Sequence, residues 1–98
     1  MEEQKGFIRC ERVRPGDETL PTLTYRLYEG RVEGRAAFSL HCFAPKGTAL
    51  YESEAYVFDV TSDAATAERL LLLLWEGAVT PYALAETVEE WVGCFFGG

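Results

Sequence analysis

Residues 61–92, TSDAATAERLLLLLWEGAVTPYALAETVEEWV, decide the fold. Ser62 or Asp63 stands where a side chain caps the first free amides of a helix, and Ala64 to Glu76 are mostly strong helix formers. Gly77 is placed to supply the left-handed residue that commonly ends a helix. Thr80 then reads as the N-cap of a second helix, with Pro81 at its first position, where a missing N–H costs nothing. Gly93 closes that second helix. Two helices joined by a very short turn are the expectation.

Their faces differ. Ala67, Leu70, Leu71 and Leu74 form one stripe of a 3.6-residue repeat, and Leu72, Leu73 and Trp75 spread the apolar surface around the cylinder. A helix of this kind touches two surfaces and is central. In the second helix Leu84, Val88 and Trp91 share a stripe, while Glu86, Glu89 and Glu90 point elsewhere, which suits a half-exposed cover. The leucine run falls far short of the about 20 apolar residues of a membrane span, so no membrane partner is expected.

Upstream lie four strand-like stretches. FIRCERVR (7–14) alternates loosely, with Ile8 and Cys10 on one side and Arg9 and Glu11 on the other. After a turn at Arg14-Pro15-Gly16-Asp17, TLTYRLY (22–28) puts Leu23, Tyr25 and Leu27 on one face and Thr24, Arg26 and Tyr28 on the other. EGRVEGR (29–35) holds a hairpin turn. RAAFSLHCFA (35–44) sends Phe38, Leu40, Cys42 and Ala44 inward and Ser39, His41 and Phe43 outward. Beyond the tight connection Pro45-Lys46-Gly47-Thr48 runs LYESEAYVFDV (50–60), with Ala55 and Val57 on one face and Tyr56, Phe58 and Val60 on the other. A bulge near Phe58 or Asp59 would turn Val60 inward beside Val57. Strands joined by short turns pair antiparallel. The fold class is therefore α+β: a four-stranded antiparallel meander followed by a two-helix hairpin packed on one face, a β-β-β-β-α-α two-layer sandwich, with residues 1–98 as a single domain.

The run VFDVTSDAATAERLLLLLWEGAVTPYALAETVEEWV, preceded by the TYRLY strand, resembles a family of short uncharacterised proteins of Gram-positive bacteria (Firmicutes). Its members share the strand, the Ser/Thr-Ser/Asp cap, the Leu-rich helix, the Val-Thr-Pro turn and an acidic second helix; Val79-Thr80-Pro81 is the most specific piece here. The resemblance implies this fold and a domain of unknown function, and it brings no catalytic residue.

Charge is unevenly spread. Residues 1–46 hold eight Lys/Arg against seven Asp/Glu; residues 47–98 hold Arg69 alone against nine acids, giving a net charge of −7. So acidic a helical half repels phosphate backbones, and no nucleic-acid partner is expected. MEEQKGFIRCERVR has no apolar signal region, which points to a cytoplasmic protein. Cys10, Cys42 and Cys94 are widely separated and odd in number, so free thiols are expected, with no metal, cofactor or disulfide framework.

Catalytic patterns are missing. His41 and Cys42 are neighbours on a strand and point to opposite faces, a poor nucleophile–base pair. Glu52 and Glu54 share a strand face but have no evident cleft, and Arg9, Arg12, Arg26, Arg31 and Arg35 are interleaved with acids. The closing Gly97-Gly98 follows a helix and two phenylalanines, unlike the tails of ubiquitin-like sulfur carriers. What remains is a sheet face that the two helices leave bare, carrying Arg26, Tyr28, His41, Phe43, Tyr56 and Phe58. The reading is a non-enzymatic protein-binding or assembly module, as a homodimer or with an unknown protein partner on that face. The alternative is a small-molecule or anion binder, or an enzyme, whose site forms between subunits.

Overall fold

The computed structural model describes residues 6–45, 47, 50 and 53–95, the last two by backbone alone. Four strands, β1 (Phe7–Arg14), β2 (Leu23–Val32), β3 (Arg35–Phe43) and β4 (Glu54–Thr61), lie in that order in one antiparallel sheet. Helix α1 (Ala64–Glu76), a 3-10 turn (Pro81–Ala83) and helix α2 (Leu84–Phe95) follow. This is the α+β meander and helical pair that the sequence implies. Leu23, Tyr25 and Leu27 of β2 and Phe38, Leu40 and Cys42 of β3 meet Ala67, Leu70, Leu71 and Leu74 of α1 and Leu84 and Val88 of α2 in one core.

Of the two candidate caps for α1, Asp63 does the work. Its carboxylate accepts the Thr66 hydroxyl at 2.7 Å and the Thr66 amide at 2.8 Å, and both donors hold it below the usual carboxylate range. At the other end the sequence expectation shifts by one residue. Gly77 has φ −88°, and Ala78 is the left-handed residue at φ 53°. The Val79 amide donates to the Leu74 carbonyl at 3.2 Å and the Ala78 amide to the Trp75 carbonyl at 3.3 Å, which makes a Schellman motif with alanine where glycine is usual. Thr80 sits at the N-cap of the 3-10 turn, but its hydroxyl makes no capping bond; α2 begins only at Leu84 and runs through Gly93 to Phe95.

Two bulges set which side chains share a face. On β1 the register slips between Ile8 and Cys10, leaving Arg9 as the extra residue. Ile8 therefore pairs with Tyr28 on the uncovered face and Cys10 with Leu27 on the helix face, so the expected common side of Ile8 and Cys10 does not hold. On β4 the shift falls between the pairs Phe38–Thr61 and Leu40–Val57, with Asp59 at φ 53° and its amide donating to the Ser39 hydroxyl at 3.0 Å. Val57 and Val60 both pack on the core as a result. The β2–β3 hairpin closes at Val32–Arg35 over Glu33 and Gly34, both at positive φ, the signature of a type I′ turn. β2 thus runs well past Tyr28, and β4 starts at Glu54 rather than at residue 50.

Replacing Ala78 by glycine removes a left-handed alanine and is expected to stabilise the fold by about 0.5–1 kcal/mol, whereas Gly77→Ala has an ordinary φ but sets its Cβ 3.3 Å from the Leu73 carbonyl oxygen, and is expected to gain less. Urea unfolding of the two variants checks this, and the opposite ranking would place the strain elsewhere. Leu74 is fully buried, so Leu74→Ala is expected to cost about 2–5 kcal/mol in the same measurement.

Candidate functional site

Arg26, Tyr28, His41, Phe43, Tyr56 and Phe58 do share the sheet face opposite the helices. The register explains this directly: Arg26 pairs with His41, His41 with Tyr56, and Phe43 with Glu54, so alternate residues of β2, β3 and β4 stand together. Their rings form a stack. Phe58 lies 5.4 Å from Tyr56, Tyr56 lies 3.9 Å from His41 at 2° between planes, and His41 lies 4.8 Å from Phe43. The Arg26 guanidinium covers the far side of the run, 4.8 Å from the Phe43 centroid.

The stack changes what is exposed. His41 is only 4% exposed and Tyr28 6%, although both lie on the face away from the two helices. Phe43 and Tyr56 are half-buried and Phe58 is 49% exposed, so the face is less bare than four free aromatics would make it. Neighbouring rings on adjacent strands lie close enough to shield one another from solvent.

Two charged contacts frame the rings. His41 Nε2 lies 2.9 Å from Glu54 Oε2; an ionised carboxylate only accepts, so Nε2 carries the proton in this contact. Arg26 Nε donates to Glu11 at 2.7 Å across the β1–β2 pair. The other arginines scatter. Arg9 bonds Glu29 and Glu68, Arg12 rests on the Trp75 indole at 4.8 Å, and Arg14 donates to the Trp75 carbonyl at 2.9 Å. Arg31 bonds the Gly34 carbonyl within its own hairpin. They do not gather into one anion site.

Cysteine chemistry is confined by burial. Cys42 faces the helices, fully buried, and burial pushes its thiol up to about 12; burial raises Cys10 as well, with Glu68 adding to the effect. Both are free thiols. His41 stands on the opposite face from Cys42, as strand alternation requires. Among the described residues no group of three His, Cys, Asp or Glu lies close enough to hold a metal ion, and no helix is long and apolar enough to cross a membrane. Glu52 and Phe96 to Gly98 lie outside the described residues, as do the side chains of Cys94 and Phe95.

Two shallow grooves flank the sheet on the helix side. One, about 650 Å³, runs between β1 and α1 past Cys10, Arg12, Leu72 and Trp75; the other, about 360 Å³, lies between the β4 bulge and α2 past Val57, Val60, Val88 and Val92. In the first, Glu68 lies beside Cys10, and its charge disfavours the thiolate. Sequence reasoning missed the partners Glu11, Ser39 and Glu54, because their positions depend on strand register and on the two bulges.

The architecture is that of a small α+β domain with one helix-covered and one aromatic sheet face. The chain belongs to the family of unknown function DUF6514, whose model matches residues 4–94. No curated protein and no solved structure matches it.

At mildly alkaline pH a Cys94→Ser variant is expected to react with a thiol reagent quickly only at Cys10, with Cys42 modified at the rate of unfolding. Mass spectrometry of the time course checks it. Early labelling of Cys42 would show that the core opens locally.

Proposed function

We propose that this chain is a non-enzymatic protein-binding module that assembles through its uncovered sheet face. The observation that carries this reading is the ring stack centred on His41, on the side of the sheet away from both helices. Aromatic side chains with a polar handle dominate protein interfaces, and their low rotamer entropy makes them cheap to immobilise. Arg26 and Glu54 at the margin of the rings supply the charged rim that such interfaces have.

The buried and raised Cys42 thiol and the separation of His41 from it favour binding over covalent catalysis. A second copy of the chain is the partner we favour, since a two-fold dimer places the same face against itself and closes the assembly.

Sedimentation velocity at tens of micromolar is expected to show a dimer, and Tyr56→Glu, which puts a charge into the ring stack, is expected to return it to monomer. A strict monomer would remove the self-association. Stabilisation by several degrees with a small metabolite and no protein partner would move the reading to the small-molecule or anion binder with a site between subunits.

A further inference from the structure

Resting on the protein-binding reading above, we infer that Arg26 and Glu54 fix how a second copy sits: face to face, with the two-fold axis running along β3, so that β2 of each protomer lies over β4 of the other. In the aligned class of face-to-face packing the strands of two sheets stay within about 30° of each other, which leaves two simple two-fold axes. One runs along the strands and the other across them. The rings occupy β2, β3 and β4 with His41 and Phe43 on the middle strand, so either axis must pass near β3 to bury them.

Charge separates the two arrangements. On the ring-bearing part of this face β2 presents Arg26 and β4 presents Glu54, on opposite sides of β3. An axis across the strands sets β2 on β2 and β4 on β4, bringing Arg26 toward Arg26 and Glu54 toward Glu54. An axis along the strands sets β2 on β4, bringing Arg26 toward the partner's Glu54 twice by symmetry. Like charges opposed at an interface are costly, so the second arrangement is preferred.

The reach is adequate. Arg26 and Tyr56 both pair with His41, so they stand at one level along the strands, and Glu54 is two residues, about 7 Å, further along β4. Arg26 then stands opposite the edge of the partner's Tyr56 ring and extends toward the partner's Glu54. Neither side chain has to abandon its present contact. A guanidinium has five N–H donors and holds Glu11 through Nε, and a carboxylate has about four acceptor sites, one of which serves His41. The Glu54 side chain is 56% exposed and that of Arg26 31%, so both remain accessible to a partner.

Size sets the strength. The three strands that overlap about this axis, β2, β3 and β4, spaced about 4.8 Å apart and about eight residues long, give a footprint of roughly 400 Å² per protomer. Twice that lies below the standard size of stable interfaces, which fits a weak, transient dimer rather than an obligate one.

A charge exchange tests this. Arg26→Glu and Glu54→Arg, each checked for folding by circular dichroism, are examined by sedimentation alone, as an equimolar mixture and as the double variant. Each single variant is expected to dimerise roughly tenfold more weakly than the parent, and the mixture and the double variant to recover dimer. Recovery is expected to weaken between about 50 mM and about 500 mM salt. A parent dimer that Arg26→Glu leaves intact or strengthens, or a mixture that stays monomeric, overturns the orientation while leaving dimerisation in place. A monomeric parent overturns the dimer itself.

Discussion

The carbonyl of Val79 is the fixed point on which the two layers depend. It accepts the Tyr25 hydroxyl at 2.8 Å and the Cys42 thiol at 3.5 Å, and these two residues are register partners on the central strands. A turn between two helices exposes backbone carbonyls that must find donors once buried. Here the sheet supplies them, so the turn is pinned at the sheet centre and both helices are held to the same face. Tyr25 is fully buried, and burial raises its phenol well above the ordinary value, so it stays a donor. The Schellman turn that delivers Val79 needs a left-handed residue just before it, which is why Ala78 tolerates an unfavourable φ.

The edge strand β1 is attached by different means. It contributes little to the core, yet its arginines reach the helix above it. Arg14 donates to the carbonyls of Trp75 and Glu76, the negative end of a helix that has no basic residue in its own last turn. Arg12 lies on the Trp75 ring, and the Trp75 indole N–H returns a bond to the Val13 carbonyl at 2.9 Å. The bulge at Arg9 turns that side chain to the same face, where it meets Glu68. Exposed ion pairs of this sort add little stability individually, but together they orient an edge that apolar packing alone would leave loose.

Among the described residues the opposite face achieves burial through its own side chains. Tyr56, Phe43 and Tyr28 crowd around His41 until an imidazole on the outside of a two-layer protein is nearly inaccessible. Its hydrogen bond to Glu54 satisfies Nε2 of the buried ring, and the Glu54 carboxylate is more than half exposed. Side chains packed against one another in this way have less rotamer freedom to lose on association.

The meander, the helical pair and the division of residues between the two faces of β2 and β3 are legible in the sequence. All follow from local periodicity, turn residues and capping, which act over a few neighbours. Asp63, the Leu70-Leu71-Leu74 stripe and the outward placement of Arg26, Tyr28, His41 and Phe43 on β2 and β3 belong to that class. The tertiary structure alone decided that Ile8 and Cys10 part company, that Ala78 rather than Gly77 takes the left-handed turn, and that α2 passes through Gly93. It also decided that His41 is buried and that Glu11 and Glu54 join the face. Each of these depends on strand register or on contacts between residues far apart in sequence. A bulge shifts every side chain beyond it, and nothing in an alternating pattern marks where the extra residue will fall.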